Sequence, residues 1–108
     1  MLTEFVRVAG VSDVADGAMI GVNVDNEDYL LARIGDTYYA TDGWCTHAAG
    51  LLFEGYLHPD MCEVECPIHE GMFDLRTGEV TNPPAEEDVR AYEVQVRGED
   101  IFIGPKQS

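Results

Sequence analysis

Eight short runs rich in Val, Ile, Tyr and Phe recur along this sequence, and none has the length or the period of an amphipathic helix. They are EFVRVA, MIGVNV, YLLARI, TYYAT, CEVEC, MFDL, RAYEVQV and DIFIG, and turn residues separate them. The segments IGDT, RTGEV and RGEDI have the composition of hairpin connections. The pattern predicts an antiparallel all-β domain, with one short helical turn at SDVAD after a Ser12 cap. No repeat, low-complexity tract or linker divides the chain, and 108 residues at 45% hydrophobic suit one small domain. A core this thin gains materially from a bound metal centre.

The strand rhythm breaks once. From Gly43 to about Gly71 the chain is loop-rich, and it holds all three cysteines and all three histidines. A loop-borne site on a rigid β scaffold is a common way to place chemistry. CTH supplies Cys45 and His47, and CPIH supplies Cys66 and His69. At such spacings two side chains from one tight loop converge on one centre, so two facing loops deliver two thiolates and two imidazoles. That donor set suits either a tetrahedral structural Zn2+ or a two-iron cluster with thiolates on one iron and imidazoles on the other. Zinc sites usually pair like with like along the chain, whereas here each loop gives one Cys and one His. Gly50 and Gly71 follow the two loops, where backbone N–H groups would pass close to inorganic sulfide. Spacing favours the dinuclear centre and leaves both open.

Charge removes other classes of function. Twenty-one Asp and Glu against six Lys and Arg give a formal net charge of −15, which a phosphate backbone would repel, so no nucleic acid partner is expected. The acids are scattered and β-branched and aromatic residues are ample, which argues against disorder; the charge would steer the protein toward a basic partner. MLTEFVRVAG has no basic segment leading into an apolar run, and no apolar stretch approaches the roughly 20 residues that cross a bilayer. The expectation is a cytoplasmic monomer with no membrane partner. There is no Gly-rich dinucleotide fingerprint and no room for a second, substrate-activating iron with a 2-His-1-carboxylate triad. Chemistry on a substrate would therefore take place on another protein.

CTHAAGLLFEGYL followed by VECPIHEGMFDLRTGEVTNPPA resembles the paired cluster-binding boxes of Rieske-type [2Fe-2S] proteins. FDLRTGEV and the short length are similar to the Rieske ferredoxin components of bacterial aromatic-ring-hydroxylating dioxygenase systems, and the likeness runs on through YEVQVRGEDIFI. The resemblance implies one [2Fe-2S] cluster, with Cys45 and Cys66 on one iron and His47 and His69 on the other. It implies a Rieske-like fold of three small antiparallel sheets, with a base of residues 1–42 and 77–108 and a cluster-binding subdomain of 43–76. NPPA, at 82–85, matches the proline-containing loop that covers the cluster in relatives. The implied role is not catalytic: a one-electron carrier between an NAD(P)H-dependent ferredoxin reductase and a terminal Rieske oxygenase. The alternatives are a structural zinc module using the same four residues and the small Rieske subunit of another redox enzyme.

The departures from high-potential relatives also inform. Where those carry an extra disulfide, the matching places here are Gly50 or a neighbour and Ile68. Where they carry Ser and Tyr hydroxyls, the places are Gly71 and Phe73. Fewer hydrogen bonds to the sulfurs imply a potential near the low end of the Rieske span, about −150 mV.

Other residues in the region have quieter expected roles. An extended CEVEC would put Cys62, Val64 and Cys66 on one face, with Cys62 a small buried residue rather than a ligand. His58 reads as a solvent-facing loop residue, and Trp44 as packing beneath the first loop. Leu51, Leu52 and Phe53 read as local core, Met72 as a shield, and Glu54, Glu70 and Asp74 as solvated surface.

Overall fold

The structure, a computed structural model, describes residues 2–46, 49–68, 70–83, 85 and 87–107. Ten antiparallel strands form among these residues: β1 (Val6–Gly10), β2 (Ala18–Val24), β3 (Glu27–Ile34), β4 (Thr37–Asp42), β5 (Tyr56–His58), β6 (Glu63–Glu65), β7 (Met72–Asp74), β8 (Val80–Asn82), β9 (Ala91–Arg97) and β10 (Asp100–Lys106). They make a six-stranded sheet in the order β1-β10-β9-β4-β3-β2 and a four-stranded meander β5-β6-β7-β8. The antiparallel all-β class is as expected. The sheet count is two rather than three among the described residues, because Ala40↔Tyr92 and Thr41↔Ala91 stitch β4 to β9 and fuse what would be two base sheets. No helix among them is long and apolar enough to cross a membrane.

Two-residue turns set the register of the large sheet. Asp25 and Asn26 both take positive φ, 51° and 67°, between the paired residues Val24 and Glu27, the requirement of a type I′ hairpin. Gly35 and Gly98 supply positive φ at the first central position of the β3–β4 and β9–β10 turns. The expected helical turn at SDVAD is a single 3-10 turn, Val11–Asp13, one residue earlier; its cap is not Ser12 but the Asp13 carboxylate, whose Oδ2 accepts from the Gly10 N–H at 2.8 Å.

β3 explains how the site is mounted on this base. Tyr29, Leu30, Leu31 and Ala32 are all buried, so this strand is covered on both faces. By the two-residue alternation, Tyr29 and Leu31 enter one core with Ala40, Tyr92, Ile101 and Ile103. Leu30 and Ala32 enter a second core with Leu52, Val64, Phe73, Leu75 and both Cys45 and Cys66. Burying each such Leu contributes about 1.5–3 kcal/mol, so β3 holds the meander against the base through its outward Leu30. Phe53 adds a second anchor, its ring lying over Gly21 of β2 so closely that a Cβ there would sit 2.3 Å from Cε1.

Candidate metal centre

Two loops of matched construction carry the cysteines. The first lies inside an isolated antiparallel bridge between Trp44 and Leu51, and the second inside the Glu65↔Met72 pair of the β6–β7 hairpin. Each opens with a cysteine whose backbone N–H donates to the carbonyl of a glycine five residues on: Cys45 to Gly50 at 2.9 Å, and Cys66 to Gly71 at 2.8 Å. The chemistry-bearing segments are thus two copies of one closed loop, set on different strand pairs. Both cysteines are buried, at 7% and 1% exposure, in the same apolar core, and neither is in a disulfide.

The loops abut. A Cβ on Gly50 would lie 2.9 Å from Ile68 Cδ1 and 3.3 Å from Cys66 Sγ, so the first loop passes its bare backbone against the second loop's thiol. A Cβ on Gly71 would lie 2.9 Å from that of Ala85. Glycine is required at both places by close approach. Gly50 and Ile68 are side by side.

A third segment closes over both loops. Thr46 Oγ1 donates to the Glu87 carbonyl at 2.5 Å, and Asn82 Nδ2 donates to the Glu70 carbonyl at 3.1 Å and to its neighbour Pro83 at 3.0 Å. The chain after β8 is therefore fastened to each cysteine loop by one side chain. Beneath the first loop, Asp42 accepts from the Arg90 N–H and Nε at 2.9 and 3.0 Å and from the Tyr92 hydroxyl at 2.6 Å. That carboxylate raises the Arg90 pKa; burial first and the bond to Asp42 second push the Tyr92 hydroxyl well above the usual tyrosine range. Sequence reasoning missed Thr46, Asn82 and Asp42 as positioning residues; the Asn-Pro dipeptide at 82–83 is the one signal that marks such a turn.

Of the four residues that spacing singles out, Cys45 and Cys66 are brought into one core, while His47 and His69 lie outside the described residues. Pro84 of the proline segment does too. The donor chemistry and the space fit an iron–sulfur centre: buried thiols are soft ligands suited to iron, and the glycines leave backbone, not side chain, beside them.

Several neighbouring residues differ from expectation. Cys62 takes φ +55° and precedes β6, so CEVEC is not extended throughout; Cys62 is half-buried at the edge of the core, with its N–H on the Pro59 carbonyl. Trp44 is not packed beneath the loop but 49% exposed, its Nε1–H donated to Asp28 Oδ2 at 3.2 Å. His58 lies on β5, partly buried, with Nε2 2.7 Å from Glu65 Oε1. Asp74 is not simply solvated: the Arg76 guanidinium binds both its oxygens, at 3.2 and 2.9 Å, and holds its pKa below the ordinary value. Leu52 is fully buried, and Phe53 packs against the same core, as expected.

The Rieske [2Fe-2S] domain model matches residues 4–93. The ferredoxin component of the naphthalene 1,2-dioxygenase system of Pseudomonas putida is 31% identical over 103 residues, covering 95% of this chain and 97% of that protein. The solved ferredoxin of carbazole 1,9a-dioxygenase from Nocardioides aromaticivorans IC177 superposes with a TM-score of 0.91 at 39% identity, covering 96% of this chain and 100% of the other. A chain from the complex of reduced oxygenase and oxidized ferredoxin in carbazole 1,9a-dioxygenase superposes at 0.88 with 31% identity, covering 98% of each. With its paired cysteine loops and this similarity over nearly its whole length, the chain belongs to the Rieske [2Fe-2S] domain family and carries one Rieske-type [2Fe-2S] cluster.

Proposed function

We propose that this protein is the ferredoxin component of an aromatic-ring dioxygenase system, a cytoplasmic monomer that takes single electrons from an NAD(P)H-dependent ferredoxin reductase and gives them to a terminal Rieske oxygenase. When bound, the cluster supplies one-electron redox chemistry. Cys45 and Cys66 hold one iron and His47 and His69 the other, on a subdomain of residues 43–76 carried by a base of 1–42 and 77–108. The observation that carries the reading is the matched pair of closed loops, Cys45 to Gly50 and Cys66 to Gly71, with both thiols in one core. The names of the relatives support the carrier role, since they are ferredoxin components rather than oxygenases, and the solved complex of an oxygenase with its ferredoxin supports the delivery partner.

The residues around the thiols suit a low potential. Phe73 is fully buried in the core that holds both thiols and, like Gly71, offers no side-chain donor. A side chain without a hydroxyl at both places suits a potential of about −150 mV, the low end of the Rieske range.

The test is reconstitution. Purified protein should contain iron and acid-labile sulfide, bleach on reduction, and carry electrons from a ferredoxin reductase to a Rieske oxygenase in single-turnover mixing. Serine at Cys45 or Cys66, or alanine at His47 or His69, should each abolish the visible spectrum. Retention of the native spectrum by any one of these variants overturns the ligand assignment, and a film-voltammetry potential above zero overturns the low-potential reading.

A further inference from the structure

A groove of about 380 Å³ opens beside the first cysteine loop, between the β2–β3 turn and the segment Gly43 to Thr46; its walls include Glu27, Asp28, Asp42, Trp44, Cys45 and Arg90. Arg90 is the one cation on these walls among the described residues. It stands just before β9, opposite Asp42 at the end of β4, where the ladder between the two strands has only the pairs Ala40↔Tyr92 and Thr41↔Ala91. Asp42 and Arg90 add a further rung. The Asp42 N–H donates to the Arg90 carbonyl at 2.9 Å, and Arg90 returns its backbone N–H and its Nε–H to Asp42 Oδ2 at 2.9 and 3.0 Å. Gly43, next along the chain, donates its N–H to the Asp28 carbonyl at 2.9 Å and accepts from the Leu52 N–H at 2.7 Å. Cys45 therefore follows directly on a clamped stretch of backbone. The Asp42 side chain is 19% exposed and that of Arg90 45%, so water screens the pair only in part.

We propose that Arg90 sets the electrostatic field at the Cys45 end of the centre, by cancelling the charge of the Asp42 carboxylate that bolts the first loop to β9. The proposal rests on the cluster assignment and the carrier reading above. A carboxylate serves the geometry there: its two oxygens take three donors at once, the Arg90 N–H and Nε–H and the Tyr92 hydroxyl at 2.6 Å. Its charge has the opposite merit, since a negative charge beside a redox centre opposes an added electron and a positive one favours it. The surrounding chain brings no other cation to the loop: from Gly43 to Leu75 there are six carboxylates and no Lys or Arg, and Arg76, which follows, is held in the pair with Asp74. Arg90 also feels Glu27, whose charge acts behind the hydrogen bond and charge of Asp42 in holding the Arg90 pKa above its ordinary value. One cation thus answers two carboxylates on the groove that Cys45 lines. A guanidinium keeps its proton at every pH at which the fold persists, so the compensation is constant. Arg90 is a positioning residue through its bonds to Asp42, and its charge adds an effect that geometry alone would not produce.

The experiment measures the reduction potential of the cluster-loaded protein by film voltammetry at low ionic strength, with iron content and visible spectrum read alongside. The variants are Arg90→Gln, Arg90→Lys, Asp42→Asn and the double variant Asp42→Asn with Arg90→Gln. Arg90→Gln should lower the equilibrium constant for reduction about threefold or more, a downward shift of about 28 mV at 59 mV per tenfold for one electron. Asp42→Asn should raise it by as much, and the double variant should lie between the two single ones. Arg90→Lys, which keeps the charge and loses the fork, should stay nearer the parent than Arg90→Gln does. Shifts of one sign in the two single variants overturn the proposal, since a merely structural loss has no reason to change sign with the charge removed. A shift smaller than threefold in either single variant also overturns it, as does a Lys variant that moves as far as the Gln variant. If Arg90→Gln takes up no iron, Asp42→Asn decides by itself: a potential that does not rise overturns the proposal. The carrier reading fails on a different observation, a parent protein that holds the cluster and transfers no electrons, and the cluster assignment on a parent without iron and sulfide.

Discussion

Asn82 spans the gap between the second cysteine loop and the segment that covers it, donating its side-chain amide to the carbonyl of Glu70 at 3.1 Å. The bond is exposed, so it adds only about 1 kcal/mol to global stability. Its effect is local: it ties the end of β8 to the loop that begins at Cys66. Asn82→Ala should lower the thermal midpoint by a few degrees at most and speed cluster loss to a chelator several-fold, followed as decay of visible absorption. Unchanged decay would mean that Ala85 packing alone holds the cover down.

Glu70, whose carbonyl that bond engages, has φ +61°, a left-handed backbone that an L residue adopts at a cost of roughly 1–2 kcal/mol. Glu70→Gly should therefore raise stability by about 1 kcal/mol in urea denaturation, whereas Glu70→Gln, which keeps the Cβ, should not. Equal stabilities for the three proteins would show that the strain is relieved elsewhere.

Gly71 and Ala85 form a steric pair across the same cover. Gly71→Ala brings two methyl carbons to 2.9 Å, and overpacking of this kind costs about 1–3 kcal/mol. Ala85→Gly in the same chain removes the clash. The double variant should recover much of the iron content and stability that Gly71→Ala loses, a positive coupling in a double-mutant cycle. Purely additive losses would place the damage in the Gly71 backbone.

Stability should fall on the alkaline side. Burial, and next the hydrogen bond to Glu27, push the Tyr29 hydroxyl up to about 12; Tyr92, buried and bonded to Asp42, is raised further. In the unfolded chain both titrate near 10. Below that pH both contribute in full. As pH rises beyond it the unfolded chain sheds protons that the native protein keeps, so stability drops, by at most about 1.4 kcal/mol per pH unit for each tyrosine. Urea midpoints taken from about pH 9 to about pH 11 should show the decline, and Tyr92→Phe should flatten it while costing about 1–2 kcal/mol near neutrality.

The sequence discloses this molecule unevenly, for physical reasons. Strands of five residues or more, such as YLLARI and RAYEVQV, are legible because a run of that length shows its β-branched or aromatic content. β5 and β8, three residues each, exist only because neighbours pair with them, and no local pattern marks YLH or VTN. The fused six-stranded sheet depends on two residue pairs between β4 and β9, separated by half the chain. Cys45 and Cys66 stand out by their spacing to histidine. The groove at Trp44 does not, because its far wall comes from the β2–β3 turn, remote in sequence from the CTH box.

Cys62 illustrates the same limit and carries the last prediction. Alternation along CEVEC assigns it to a buried strand face, but its φ of +55° turns it out of β6 before the strand begins. Its neighbours there are polar: the Tyr39 hydroxyl, raised by burial and then by its hydrogen bond to Cys62, and the Arg76 guanidinium. A thiol in that position is a small side chain at the margin of the core, bonded to a tyrosine, and not a member of either closed loop. Cys62→Ser keeps the size and the hydrogen bond to Tyr39, so iron content, sulfide content and visible spectrum should match the parent. Cys62→Asn, better suited to the left-handed backbone, should also retain them. Loss of iron in the Ser variant under conditions where the Asn variant folds would move Cys62 into the ligand set and displace one of the two loop cysteines from it.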